Sequence, residues 1–70
     1  MVEVFKTNVQ KQKQAKQLAA VLRQCFPGSK INFDLEDCDK VLRVEANNLL
    51  PNKVITVVIQ NGFACNILEQ

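Results

Sequence analysis

Pro51-Asn52-Lys53-Val54-Ile55-Thr56-Val57-Val58-Ile59-Gln60-Asn61-Gly62 is the stretch on which the fold turns. By local propensity it is a strand, because Val54 to Ile59 is wholly β-branched and Asn-Gly is the strongest short hairpin signal. By its ends it is a helix: Pro51 suits the first turn, Gly62 the position just past the last, and Pro51 to Asn61 makes about three turns. Local reading leaves both open. A strand here would give an all-β ending, whereas a helix would complete the order strand, helix, strand, strand, helix, strand.

The segments on either side are clearer. Ile31, Phe33 and Leu35 alternate with Asn32, Asp34 and Glu36, and Leu42, Val44 and Ala46 alternate with Arg43 and Glu45. Each run has the period of a strand with one buried face, and Glu36-Asp37-Cys38-Asp39 between them supplies turn-forming residues, so the two form a hairpin. Ala15, Leu18, Ala19, Leu22 and Phe26 recur at the spacing of an amphipathic helix that begins near Lys11 and is stopped by Pro27-Gly28. Val2 to Lys6 reads as a first strand, and Ala64 to Glu69 as a short last one with Cys65 and Ile67 on one face.

Composition bounds what such a chain can be. Its 70 residues suffice for one domain with one core, burying about 60% of the unfolded surface. Apolar residues make up 47% and charged residues 23%, a globular balance. The longest largely apolar stretch, Val54 to Ile59 with Thr56 inside it, is far short of the ~20 residues of a bilayer span, and the first residues do not form a secretory signal, so a cytoplasmic location without membrane attachment is expected. Three cysteines, Cys25, Cys38 and Cys65, are an odd set that reads as reduced thiols rather than a disulfide framework. The net charge of +2 is too small to indicate nucleic acid, but it is unevenly placed: Lys6, Lys11, Lys13 and Lys16 crowd the first quarter, and Asp34, Glu36, Asp37 and Asp39 crowd one short segment.

Taken in order, several features resemble the heavy-metal-associated domains of copper chaperones and cation-pumping ATPases. They are the Phe26-Pro27-Gly28 close of the first helix, Ile31-Asn32-Phe33-Asp34-Leu35-Glu36, Val41-Leu42-Arg43-Val44-Glu45, the helix opened by Pro51, and Asn61-Gly62-Phe63 before the last strand. The resemblance implies an α+β, ferredoxin-like βαββαβ sandwich, with a four-stranded antiparallel sheet in the order 4-1-3-2 and two helices on one face. It thereby favours the helical reading of Pro51 to Gln60, with Val54, Ile55, Val58 and Ile59 laid over Phe33, Leu35, Leu42 and Val44. Metal-carrying members of that family use Met-x-Cys-x-x-Cys where the first strand meets the first helix. Here that position reads Thr7-Asn8-Val9-Gln10-Lys11-Gln12-Lys13-Gln14, with no cysteine, histidine or methionine. Amides and ammonium groups cannot replace thiolates on a soft ion, so no metal role carries over and no cofactor is expected.

The candidate sites are few. With no histidine, one serine (Ser29) and no Gly-rich phosphate loop, the chain offers no catalytic set, and no enzyme is expected. Lys11, Lys13 and Lys16 place positive charge at the positive end of a helix dipole, a locally unfavourable choice; the plainer reading is a solvated basic face, and the sharper one is a docking site for an acidic partner or a phosphate-bearing ligand. The acidic turn, Glu36, Asp37 and Asp39, falls at the same end of a βαββαβ domain. A metal carrier or sensor using Cys38 with Cys65, or with a partner's thiols, is the alternative. In the implied strand order those two cysteines lie two or three strand spacings apart, about 10 to 14 Å, too far for one tetrahedral ion. Cys65 reads as a small core residue, Cys25 as half buried, and Cys38 as an exposed thiol that its acidic neighbours leave unactivated. Finally, Phe5, Val41 and Leu68 are expected on the uncovered sheet face beside Arg43, rimmed by Glu3, Glu45 and Asn66. One aromatic is too few for RNA reading, so that face fits a protein contact, a homodimer among them.

Overall fold

The structure, a computed structural model, describes residues 1–68. It has the order β1 (Val2–Thr7), α1 (Gln12–Cys25), β2 (Lys30–Asp34), β3 (Val41–Glu45), α2 (Pro51–Gln60) and β4 (Cys65–Ile67). The four strands form one sheet in the order β2-β3-β1-β4, and every pairing is antiparallel. This is the α+β, ferredoxin-like βαββαβ arrangement. Among the described residues no helix is long and apolar enough to cross a membrane.

Pro51 to Gln60 is helical, and its side chains show why. In a strand, Val54, Thr56 and Val58 would share one face and Ile55, Val57 and Ile59 the other, so both faces would need covering. Wound as a helix, the same residues bring Val54 and Val58 onto one side, where both are 0% exposed, and leave Asn52, Lys53, Thr56 and Gln60 in solvent. The Thr56 hydroxyl donates back to the Asn52 carbonyl at 2.9 Å. Past the end, Gly62 takes φ +92°, its N–H donates to the Ile59 carbonyl at 2.9 Å, and the Phe63 N–H reaches the Val58 carbonyl at 3.2 Å. That pair of bonds is a Schellman closure, so Asn61-Gly62 ends a helix and does not turn a hairpin.

The first helix closes differently. Pro27 and Gly28, with Gly28 at φ +82°, occupy the middle of a turn shut by the Ser29 N–H on the Phe26 carbonyl at 3.1 Å. A positive φ behind a proline is the signature of a type II turn.

The core lies between the sheet and the helices. Phe5, Leu42 and Val44 from the sheet, Val9 from the β1–α1 loop, Leu18 and Leu22 from α1, and Val54 and Val58 from α2 are its largest fully buried members. Helix α1 packs on β2, while α2 packs on β4 and against α1. Phe33 lies on β2, the strand that α1 packs against, so the expected stacking of α2 over it gives way to packing on β4, and Leu35 is half buried against the core. Of the four expected core residues of α2, Ile55 is half buried and Ile59 is 55% exposed.

Several expected boundaries move. Thr7 joins β1, Glu36 and Ala46 fall outside their strands, and β4 begins at Cys65 and not at Ala64. Cys65 and Ile67 do share a face, although Ile67 stays 42% exposed at the sheet's edge. Glu69 lies outside the described residues.

Candidate functional site

Because successive elements reverse direction, one end of the domain gathers the β1–α1 loop, the β2–β3 loop and the α2–β4 turn. Their polar groups are tied to one another. The Thr7 N–H donates to the Asp39 carbonyl at 3.0 Å, and the Thr7 hydroxyl donates to the Lys40 carbonyl while accepting the Val9 N–H at 3.2 Å. The Asn8 carboxamide oxygen accepts the Ala64 N–H at 2.8 Å. Thr7 and Asn8 thus serve as cross-braces between three loops.

The acidic turn is similarly committed. The Asp37 carboxylate accepts the Asp39 N–H at 2.9 Å, the Lys40 N–H closes on the Asp37 carbonyl at 3.0 Å, and Asp39 meets the Lys6 ammonium at 3.6 Å. Lys40 takes φ 46° to make this turn, and its ammonium donates to the Leu35 carbonyl at 2.9 Å. Glu36 and Asp37 are exposed, and Asp39 is half buried. Asp37, Cys38 and Asp39 hold their possible ligand atoms within 4.8 Å of one another. Two carboxylates already engaged by an Asx turn and a lysine are ordinary for an exposed loop.

The thiols divide by environment. Cys38 is exposed, as expected, and so is Cys25, which was expected to be half buried. Cys25 falls seven residues after Leu18, on the same side of α1, but it is the last residue of the helix, beyond the buried set that ends at Leu22. Cys65 is 3% exposed, and burial pushes its thiol up to about 11. A thiol held protonated in this way is a poor soft-metal ligand at neutral pH.

On the uncovered sheet face the expectation for Phe5 is wrong. Phe5 is 0% exposed and pairs in register with Leu42, which in turn pairs with Phe33, so all three face the helices. Val2 and Val4 take the other face, and Glu3, opposite Val44, leaves it. The first strand offered two apolar parities, and the larger side chain fills the core. Arg43 is exposed on the open face between Asn32 and Val4, Val41 lies opposite Asp34, and Leu68 continues the same face through its N–H to the Val4 carbonyl at 2.9 Å. What remains there is valine and leucine dispersed among charges.

Lys11, Lys13 and Lys16 are all exposed. Lys11 is the N-cap of α1 and offers no capping acceptor, although its own N–H donates to the Gln14 side-chain oxygen at 3.3 Å. The first turn holds no acidic residue. Among the described residues the only ion pair is Lys6 with Asp39, so the α1 lysines meet no carboxylate.

Residue-by-residue reading missed the continuation of this charge. From Val4 to Phe33 there is no Asp or Glu, while Lys6, Lys11, Lys13, Lys16, Arg23 and Lys30 are all cationic. Arg23 falls seven residues after Lys16, two turns along the same side of α1, with Ala15 and Ala19 beside them. The signal was present in the sequence as small and basic residues sharing one helical stripe. Folded, this stripe and Ile31, Asn32 and Phe33 of β2 line a shallow groove of about 190 Å³.

Fold and surface together define a small ferredoxin-like sandwich with a one-signed helix face along one sheet edge. No family model, curated protein or solved structure matches the chain.

Proposed function

We propose that this protein is a non-catalytic interaction module, a cytosolic relative of the heavy-metal-associated domains that retains their scaffold without their metal motif and docks an acidic protein partner through α1. The observation that carries the reading is the set Lys11, Lys13 and Lys16: exposed, at the helix end where cations are least favoured, and matched by no carboxylate among the described residues. Stability alone would place acidic residues there. A partner's carboxylates relieve that mismatch and steer its approach. The odd set of cysteines suits a reducing compartment.

The test uses a glutamate-rich peptide and its glutamine-substituted counterpart, titrated into the isotope-labelled protein at low salt. Amide shifts should cluster at residues 9–17 for the glutamate peptide alone, and the Lys11→Gln/Lys13→Gln/Lys16→Gln variant should lose them. Equal binding by the triple variant would defeat the proposal.

A further inference from the structure

We infer that the groove between α1 and β2 receives an extended acidic segment of the partner, added to the sheet as a fifth strand along β2. This deepens the docking proposal above and rests on it. β2 is an edge strand, five residues long, with no proline or bulge to blunt it. Alternate N–H and C=O groups of such a strand point away from the sheet and form a template for another chain. The floor beside it is open because α1 presents Ala15 and Ala19 there, and Phe33 remains half exposed at its margin. A shallow channel along a strand suits an extended chain better than a compact ligand.

Charge selects the occupant. The residues lining the groove include Lys16 and Arg23 and no carboxylate. Their positions lie about 10 Å apart along the helix axis, and side chains at alternate positions of an added strand stand about 7 Å apart, so two carboxylates on its helix-facing side reach both cations. A second copy of this chain fits less well. Its β2 could pair antiparallel with Lys30 opposite Asp34, but the two-fold axis would bring the Lys16 and Arg23 of both copies together across the groove, placing four cations in one cleft.

The experiment uses the full chain and a capped octapeptide that alternates Glu and Val. Two further versions carry backbone N-methyl groups, one on every Glu and the other on every Val. In an added strand the N–H groups of alternate residues point towards β2, so one methylated series should bind at least roughly tenfold more weakly and the other should bind like the parent. Hydrogen exchange should show new protection of amides within Lys30–Asp34, and Arg23→Gln should weaken binding of the Glu peptide but not of a Gln–Val analogue. If both methylated series bind like the parent, edge addition is overturned while charge docking stands. If the Lys11, Lys13 and Lys16 substitutions leave parent binding unchanged, it is the docking proposal that fails. If the free protein is already dimeric with β2 amides protected and the peptide does not displace the second copy, the occupant is the protein itself and the inference is overturned.

Discussion

Phe5 shows how one residue's parity decides what a whole face can do. Val2 and Val4 alternate as a buried pair would, yet the buried set is Phe5 with Thr7. A phenylalanine fills more core volume at one position than either valine would, and Thr7 satisfies its hydroxyl through the Lys40 carbonyl. The Phe5→Ala variant should therefore lose about 3 to 5 kcal/mol, a large share of a small domain's stability, and urea unfolding measures it. A loss under 1 kcal/mol would return Phe5 to the surface. Cys65 carries a second residue-scale prediction. Its thiol titrates near 11 when folded and lower when unfolded, so the unfolded chain releases its proton first as pH rises. This contribution to stability is intact below about pH 9 and is lost between there and about 11. Comparison with Cys65→Ala at each pH isolates it from the lysines, and the difference should shrink steadily over that range. In the native protein at pH 8 a thiol reagent should modify Cys25 and Cys38 quickly and Cys65 only on unfolding.

At the scale of elements, α2 is the instructive case. Its β-branched run is a poor helix former in isolation, and the first turn carries no acidic residue. The helix exists because Val54 and Val58 are buried against β4 and α1, and because Gly62 and Phe63 close its end. A peptide spanning 50–63 should accordingly be non-helical by far-ultraviolet circular dichroism, although the same residues are helical in the domain. Substantial helicity in the peptide would mean that local preference suffices. The hairpin of β2 and β3 is the opposite case, legible from alternation alone because each strand has one dry face and one wet face. The groove was partly legible too. Lys16 stood out by type, whereas Arg23 and the two alanines matter only once α1 is laid beside an edge strand.

For the molecule as a whole, charge separation is the dominant surface property. Cations occupy α1 and the strands flanking it, and the main group of carboxylates occupies the β2–β3 turn, where Lys6 answers Asp39. Exposed charges interact weakly and fade with salt, so this pattern governs association more than folding. The Lys11→Gln/Lys13→Gln/Lys16→Gln variant should consequently be as stable as the parent or slightly more so, since the helix dipole is relieved, while its association with an acidic partner slows and loses its salt dependence. Chemical denaturation and stopped-flow mixing at two ionic strengths check the two halves of that statement. The sequence by itself determined the amphipathic first helix, the central hairpin and the concentration of lysines at one end, because each is written in local period or composition. Only tertiary structure decided that Pro51–Gln60 is a helix, that Phe5 is core and that α1 borders an open strand edge. Those outcomes depend on which apolar faces can be buried together, a property of packed elements that no window of the chain contains.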